Sequence, residues 1–315
     1  MQTEKTAYNK FSIDDFRPEG FHLLGEGVWG RVYDLADGTV LKLAKETSSG
    51  IGSGRKKIER EYAALKALAD VPEINNFLPR VLGKGDVSPG SELTENGFSL
   101  WLRSTKKEGE SLSDLAIEAL PSEEKERLGH NIGMALARLH AAMASIPNGQ
   151  YMNPDSLYDE LKQDVSDNPF YMACIAILEK ELALIPPDIL NRAAHNDYNI
   201  SNLLFSGYEV CAVLDFAEWG PCFPEKDISD IVKDCPSLIE PLVAAYEQES
   251  MSKIDRRRVA LGLAENALYG VVISERKSDM KERKSEMKTL FRHFEELGYN
   301  ISEQSPISVV KAFSL

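Results

Sequence analysis

The sequence predicts an α+β protein of two lobes, in which a small antiparallel sheet with one main helix precedes a larger, mostly helical lobe. Short apolar and β-branched runs with a hairpin turn fill the first hundred residues. Apolar residues at helical spacing dominate the rest of the chain. A chain of 315 residues can bury a core in each of two parts. We divide it into an N-lobe of residues 1–103 and a C-lobe of residues 104–315.

The N-lobe alternates predicted strands with turns and one helix. Asp37-Gly38 is a strong hairpin signal between two of the strands. Ile58, Tyr62 and Leu65 recur at helical spacing, so residues 56–68 predict the helix. The Gly- and Ser-rich segment 48–54 before it is read as a flexible linker. The predicted strands are residues 21–24, 31–35, 39–45, 77–86 and 98–103.

The C-lobe is predicted to be mainly helical. An apolar stripe lies on one helix that opens at Pro121-Ser122 with acidic residues in its first turn. Two more helices are predicted within residues 155–184 and several within 225–297, among them a Lys- and Glu-rich helix at 279–297. Between these regions lie a loop over Ala194 to Phe205 and a short apolar strand over Glu209 to Phe216. The stripe consists of Leu128, Ile132, Leu136, Leu139 and Met143.

Composition excludes several classes of protein. The chain has 50 acidic and 36 basic side chains, for a net charge of −14, whereas a nucleic-acid binder needs a basic face. No apolar run approaches the ~20 residues of a membrane span. Four separate cysteines indicate neither a zinc site nor a disulfide framework. Because the first residues also lack a signal-peptide core, we expect a cytoplasmic protein without nucleic-acid or membrane partners.

The negative charge is concentrated in the middle of the chain. Residues 1–103 have 14 basic and 15 acidic side chains, and residues 251–315 have 12 and 9. Residues 104–250 have 10 basic and 26 acidic side chains, a net charge of −16. Such a field would attract Mg²⁺ and cationic small molecules, although solubility explains part of it.

The first chemical motif is Gly25-x-Gly27-x-x-Gly30. By itself it fits either a dinucleotide-binding loop or the glycine-rich loop of a kinase. A dinucleotide loop must lead into a helix. Here the loop leads into the hairpin at Asp37-Gly38, which favours a loop between two antiparallel strands whose amides cover a triphosphate.

Lys42 is the second candidate residue. It lies in the strand after the hairpin, where a lysine that binds nucleotide phosphates needs a carboxylate to hold it. Glu61 on the next helix is the preferred partner because it lies beside the apolar stripe. Glu59 is the alternative.

The most specific motif is His195-Asn-Asp197-x-x-x-x-Asn202, followed by the apolar strand that ends in Asp215-Phe216. Phosphoryl transfer needs one aspartate to accept or orient the attacking hydroxyl, and oxygen ligands to hold Mg²⁺ against the phosphates. Singly, Asn202 could be a turn residue and Asp215 a strand-end cap. Their spacing, after the two earlier motifs, favours catalysis.

These motifs resemble the aminoglycoside phosphotransferase and choline kinase-like family, which has a protein-kinase-like fold. That family writes its catalytic loop His-Gly-Asp-x-x-x-x-Asn and its metal motif Ile-Asp-Trp/Phe, which Leu214-Asp215-Phe216 matches. The resemblance spans residues 21 to about 230. Weaker matches are Ala137-Arg-Leu-His140, Gly109-Glu-Ser-Leu112 and Pro224-Glu-Lys-Asp227-Ile228, whose aspartate is a structural support in the family.

The resemblance implies an ATP- and Mg²⁺-dependent kinase, with GTP as the alternative to ATP. Its catalytic base would be Asp197, its metal ligands Asn202 and Asp215, and His195 and His140 would be structural. The phosphates would meet Lys42, held by Glu61, and the glycine loop. The backbone around Trp101 to Arg103 would meet the nucleotide base. Three residues depart from the family patterns, namely Trp29, Asn196 and Ala217.

The acceptor is expected to be a small molecule, because only the short stretch Ala217 to Glu225 separates the metal motif from the next helix. A protein kinase has a longer segment there, ending in Ala-Pro-Glu. Aromatic and acidic residues on the flanking helices would suit a cationic or amino-bearing acceptor, as in an aminoglycoside. The alternatives are an enzyme acting on a macromolecule and a nucleotide-sensing regulatory module. The chain would be a monomer or homodimer. Candidate acceptor residues are Asp155, Tyr158, Asp159, Glu218, Glu265 and Tyr269.

Overall fold

The computed structural model describes residues 11–27, 29–46, 53–146, 157–276 and 279–301. Its N-lobe contains one antiparallel sheet of five strands in the order β1-β2-β3-β5-β4. One long helix, α1 (Gly54–Leu68), packs on this sheet, and a single turn, α2 (Glu92–Glu95), precedes the last strand. The strands are β1 (His22–Glu26), β2 (Gly30–Asp34), β3 (Thr39–Lys45), β4 (Val81–Asp86) and β5 (Phe98–Thr105).

All five predicted strands are present in the sheet, although the bounds of four of them differ. β3 has the predicted bounds, whereas β4 begins at Val81 and not at Phe77. Pro79 has no N–H to donate to a sheet ladder, and the Phe77 carbonyl accepts from the Val213 amide of the C-lobe instead. β5 continues to Thr105, two residues beyond the predicted strand. The predicted linker 48–54 lies outside the described residues except for Ser53 and Gly54, which cap and begin α1.

The described part of the C-lobe contains seven helices of at least eight residues and two short strand pairs. Here β6 (Arg192–Ala194) pairs with β9 (Gly220–Cys222), and β7 (Leu203–Ser206) pairs with β8 (Glu209–Val213). The helices are α3 (Asp114–Glu118), α4 (Ser122–Ala144), α5 (Leu157–Val165), α6 (Pro169–Leu182), α7 (Pro187–Leu190), α8 (Glu225–Val232), α9 (Ile239–Ser250), α10 (Arg256–Arg276) and α11 (Met280–Glu296).

The loop and the strand predicted around Asp197 and Asp215 have different bounds in the structure. Residues 203–205, predicted as the end of a loop, belong to β7, which continues to Ser206. The following strand ends at Val213 and not at Phe216, because Asp215 has a left-handed backbone with φ of 58°. Left-handed backbone cannot continue a strand, so Asp215 projects from the turn that follows β8.

The predicted apolar stripe of α4 is the centre of the C-lobe core. Leu128, Ile132, Leu136, Leu139 and Met143 are each at most 2% exposed. The same buried cluster includes Ala64, Leu65 and Leu68 of α1, so this helix packs against both lobes. A second apolar cluster joins α5, α6, α10 and α11. Among the described residues, no helix is both long and apolar enough to cross a bilayer.

Gly133 lies at a close approach between α4 and α9. A Cβ at this position would lie 2.2 Å from the Leu242 carbonyl oxygen and 3.1 Å from the Ala245 Cβ. Backbone cannot yield as a flexible side chain can, so the helix pair depends on the missing side chain. The exposed Gly20 provides the contrast, because a Cβ there would have no atom within 4 Å.

Gly133→Ala should therefore destabilise the protein by about 1–3 kcal/mol through overpacking. Urea denaturation followed by circular dichroism measures the free energy of unfolding, with Gly20→Ala as the matched control. Equal stability of the two variants would contradict the close α4–α9 packing.

Candidate functional site

Lys42 joins the two lobes at the base of the cleft. Its Nζ donates to Glu61 Oε2 of α1 at 2.6 Å and to Asp215 Oδ1 of the C-lobe at 3.0 Å. Its alternative partner, Glu59, pairs with Arg55 instead, at 3.4 Å. The structure thus brings together three residues that the sequence separates by up to 173 positions.

The three groups shift one another's pKa values in different directions. Burial alone would lower the pKa of Lys42, but the charges of Asp215 and Glu61 raise it above its ordinary value. Burial would raise the pKa of Asp215, but the charge and hydrogen bond of Lys42 lower it. Burial, helped by the Asp215 charge, leaves the pKa of Glu61 raised despite Lys42. Lys42 therefore remains cationic and holds one firmly ionised carboxylate, Asp215.

The loop between β6 and β7 presents Asp197 with both carboxylate oxygens held. Asn199 Nδ2 donates to Oδ1 at 2.7 Å, and Asn202 Nδ2 donates to Oδ2 at 2.9 Å. Asn202 Nδ2 also donates to the Asp197 carbonyl at 2.8 Å. These contacts fix the carboxylate in one orientation and use the amide nitrogen of Asn202, so its amide oxygen is the atom suited to binding a cation.

The pKa of Asp197 is raised above its ordinary value. The main cause is burial, and the charge of Asp230 on α8 adds to it. A carboxylate with a raised pKa is a better proton acceptor than an exposed one. Asp197 thus combines a fixed orientation with increased basicity.

Backbone hydrogen bonds connect this loop to Asp215. The Leu214 amide donates to the Asn202 carbonyl at 2.8 Å. The ring of His195 is fully buried, and its Nε2 lies 3.0 Å from the Leu214 carbonyl oxygen. His195 also packs edge-on against Phe216, with 4.6 Å between ring centroids. Its contacts are structural, as the sequence led us to expect.

Asp227 of α8 holds the start of the loop. One of its oxygens accepts from the Asn196 amide at 2.7 Å, and the other accepts from the His195 amide at 2.8 Å and lies 2.8 Å from His140 Nε2. Burial would raise the pKa of Asp227, but the hydrogen bond and charge of His140 lower it. This fully buried carboxylate therefore holds the first residues of the loop that contains Asp197.

The glycine loop connects β1 and β2 above the cleft. Gly30 must be glycine because a Cβ would lie 2.2 Å from the Leu43 carbonyl oxygen of β3. A Cβ added at Gly25 or Gly27 would have no atom within 4 Å, so open space adjoins the backbone of both residues. The Gly27 amide donates to the Gly30 carbonyl at 2.9 Å, which closes the loop.

Trp101 and Arg103 do not have the predicted backbone role. They lie within β5, which pairs with β3 on one side and β4 on the other. Their backbone groups are engaged in these ladders, and the Arg103 side chain donates to Thr39 Oγ1 at 3.0 Å and Asp37 Oδ2 at 2.6 Å. The chain leaves the sheet only after Thr105.

The predicted acceptor residues divide into three sets. Asp155 and the side chain of Asp159 lie outside the described residues. Tyr158 donates to Glu265 Oε2 at 2.7 Å, and Tyr269 packs at the edge of the second apolar cluster. Glu218 does not face the flanking helices; it pairs with Lys57 and Arg60 of α1. The carboxylate of Glu218 is therefore engaged with α1, and its position does not support the predicted contact with an acceptor.

Sequence reasoning missed a buried polar group beside Asp197. Lys226 Nζ donates to Asp230 Oδ1 at 2.5 Å and to Asn266 Oδ1 at 3.1 Å, and Asn266 Nδ2 donates to the same Asp230 oxygen at 2.8 Å. Asp230 is 2% exposed, and its Oδ2 has no hydrogen-bond partner among the described residues. Helical i,i+4 spacing of Lys226 and Asp230 was the available signal, but charged pairs at this spacing usually face solvent.

A lysine held by a carboxylate, an Asp–Asn loop and a second aspartate meet at one cleft, and this arrangement is typical of phosphotransferases of the kinase-like fold. The chain matches the model of the phosphotransferase enzyme family over residues 23–261. It belongs to that family, which confirms the resemblance seen in its motifs. It is a small-molecule kinase that transfers phosphate to a hydroxyl group.

Solved structures show the same fold. The GDP complex of aminoglycoside 2'-phosphotransferase-IIIa is 16% identical with a TM-score of 0.63, and covers 90% of this chain and 94% of its own. Amicoumacin kinase, in complex with AMP-PNP and Ca²⁺, is 14% identical with a TM-score of 0.65, covering 90% and 89%. A choline/ethanolamine kinase family protein from Mesorhizobium loti is 16% identical with a TM-score of 0.61, covering 88% and 89%. No curated protein matches the sequence.

Asp227→Ala should destabilise the protein by about 3 kcal/mol or more, because two buried amides and His140 lose their acceptor. Urea denaturation at pH 7 measures the loss, with the exposed Asp70→Ala as control. An unchanged free energy of unfolding in Asp227→Ala would contradict the support assigned to this carboxylate.

The same carboxylate should contribute a pH dependence. Its pKa is lowered in the folded protein, so its stabilising effect is present above the unfolded pKa and is lost as pH falls below about 4. The difference in unfolding free energy between wild type and Asp227→Ala should therefore shrink between about pH 5 and the acid limit of folding. A constant difference would argue against an ionised Asp227.

Proposed function

We propose that this enzyme uses ATP, or GTP in its place, with Mg²⁺ to phosphorylate a hydroxyl of an amino-bearing small molecule. The observation that supports this most is Lys42 held between Glu61 and Asp215, beside the Asp197–Asn202 loop. N-lobe residues 1–103 would bind most of the nucleotide, and C-lobe residues 104–315 would supply the catalytic loop and the acceptor site.

The nucleotide phosphates would lie between the glycine loop and Lys42. Open space next to Gly25 and Gly27 permits close approach of their backbone to a ligand. Lys42 provides a fixed positive charge, and Glu61 orients it from α1. Two of the similar structures are complexes with GDP or AMP-PNP, which supports a nucleotide at this place.

Asn202 and Asp215 fit a magnesium ion that is partly coordinated by phosphates. Both offer oxygen, and the amide nitrogen of Asn202 is already used by Asp197. Among the described residues, no group of three or more His, Cys, Asp and Glu side chains forms a complete metal site, and Mg²⁺ in kinases commonly needs few protein ligands. When bound, the ion would neutralise charge on the phosphates during transfer.

Asp197 would accept the proton of the acceptor hydroxyl. Hydrogen bonds from Asn199 and Asn202 hold its two oxygens in place, and burial raises its pKa. The attacking oxygen would then form its bond to the γ-phosphorus while the bond to the leaving nucleoside diphosphate breaks. Asp197 thus aligns the acceptor and holds its proton.

An amino group on the acceptor is supported by charge. Asp230 and Glu265 are two acidic residues of α8 and α10 that lie near the single cation of Lys226. Residues 104–250 as a whole have a net charge of −16. The similar structures include a choline/ethanolamine kinase family protein and an aminoglycoside phosphotransferase in complex with kanamycin, and choline, ethanolamine and kanamycin all contain amines or a quaternary ammonium group.

The two alternatives set out from the sequence find less support. A macromolecular acceptor would need a docking segment, yet only residues 216–224 separate Asp215 from α8. A regulatory module would not require the complete set of Lys42, Asp197, Asn202 and Asp215. We therefore retain catalysis on a small molecule.

Asp197→Asn should lower kcat by about 10²-fold or more, because proton acceptance is lost while the shape is kept. A coupled assay of ADP release measures kcat, and isothermal titration with AMP-PNP and Mg²⁺ should show binding close to wild type. The exposed Asp188→Asn is the control for the chemical change. Wild-type turnover by folded Asp197→Asn would refute the assigned base.

The acceptor class can be tested with matched pairs of compounds. ADP release should be stimulated by aminoglycosides, choline or ethanolamine and not by sugars or alcohols that lack the amine, because only the former are cations at pH 7. The stimulation should also fall as salt concentration rises, since screening weakens attraction to the acidic lobe. Equal or better turnover of uncharged alcohols would contradict an amino-bearing acceptor.

A further inference from the structure

Two of the three residues that depart from the family motifs are connected through one residue, Glu218, by its backbone carbonyl on one side and by its carboxylate and Lys57 on the other. Trp29 lies in the glycine loop, and Asn196 precedes the catalytic aspartate. Glu218, three residues after Asp215, contacts the helix that supports Trp29 and also contacts Asn196. None of these contacts is part of the chemistry described above.

The carboxylate of Glu218 crosses from the C-lobe to α1. Its Oε1 pairs with Lys57 Nζ, and its Oε2 lies 4.0 Å from Arg60 NH1. Lys57 and Arg60 are each only 8% exposed, and the Glu218 side chain is 33% exposed. Ion pairs with such partial burial are less screened by solvent than surface pairs, so this contact favours one placement of α1.

Through Lys57, the carboxylate of Glu218 is connected to Trp29 of the glycine loop. Lys57 Nζ lies over the Trp29 ring, 5.6 Å from its centroid, within the range of a cation–π contact. The start of α1 also touches the loop directly, because a Cβ on Gly54 would lie 2.1 Å from the Trp29 carbonyl oxygen. Movement of α1 would therefore move the loop above the cleft.

The backbone of Glu218 connects to the loop that contains Asp197, through Asn196. Asn196 has a left-handed backbone with φ of 64°, a conformation that asparagine tolerates better than most residues. Its Nδ2 donates to the Glu218 carbonyl at 3.0 Å and to the Gly220 carbonyl at 3.4 Å. A glycine, the usual family residue, would accept this backbone but could not form these bonds.

We propose that Glu218 is a positioning residue that sets α1 against the C-lobe and so aligns the glycine loop, Lys42 and the catalytic loop. The helical spacing of Lys57 and Glu61 explains how Glu218 affects Lys42. Lys57 and Glu61 are four residues apart and share one face of α1. When Glu218 holds Lys57, Glu61 is turned toward Lys42, which it contacts at 2.6 Å.

The inference rests on the proposed nucleotide site, so its test uses nucleotide binding. Glu218→Gln removes the charge but keeps the size of the side chain and the carbonyl that accepts from Asn196. Isothermal titration with AMP-PNP and Mg²⁺ should show affinity weakened by about fivefold or more. The melting temperature without nucleotide should change little, which separates positioning from general destabilisation.

Glu249→Gln is the matched control. Glu249 is also 33% exposed and also pairs between two helices, with Arg138 at 2.9 Å, but the pair lies between α9 and α4. The Glu249→Gln variant should bind AMP-PNP with the affinity of wild type. Equal losses in Glu218→Gln and Glu249→Gln would overturn the proposal, because the effect would then be one of charge and not of position.

A double-mutant cycle tests whether the connection runs through α1. Lys57→Met keeps the aliphatic stem and removes the charge. The double variant Lys57→Met with Glu218→Gln should bind AMP-PNP no more weakly than the weaker single variant, because one shared contact is lost. Losses that multiply would overturn the proposal. Absence of AMP-PNP binding by wild type would instead refute the nucleotide site itself.

Discussion

The ion-pair group at Lys42 is the interaction on which the site depends. One cation from β3 is held by a carboxylate of α1 and by a carboxylate that follows β8. The group exists only when the sheet, α1 and the C-lobe are all in place, so it converts the packing of two lobes into the geometry of one cleft. Separating the charges would leave buried groups unpaired, which is costly. The ion-pair group therefore stabilises this arrangement of the two lobes.

A second carboxylate has a similar effect on the other side of the cleft. Asp227 is fully buried, and it fixes the start of the catalytic loop through two backbone amides while His140 of α4 fixes Asp227. The stripe of α4 that forms the C-lobe core therefore continues into the support of Asp197. Core packing and catalytic geometry are connected by a single side chain, and the loop needs no regular secondary structure to be precise in position.

Local patterns in the sequence were enough to predict β3, the α4 stripe and the Asp197 loop, because turn chemistry and apolar spacing act over a few residues. They also suggested Glu61 as the partner of Lys42, which the structure brings within 2.6 Å. Roles that depend on packing were not accessible. Trp101 and Arg103 lie inside a doubly paired strand, and Glu218 turns to α1. The sequence did not single out Asp230, because charged residues on a helix usually face solvent, yet every residue of α8 is buried.

The most direct test of the central claim is the affinity for AMP-PNP, with and without Mg²⁺, of wild type, Lys42→Met and Asp197→Asn. If Lys42 holds the phosphates, Lys42→Met should lose more than about tenfold in affinity while remaining folded by circular dichroism. Asp197→Asn in the same cleft should keep its affinity, and binding to wild type should weaken without Mg²⁺. Wild-type affinity in Lys42→Met would contradict the placement of the nucleotide at this ion-pair group.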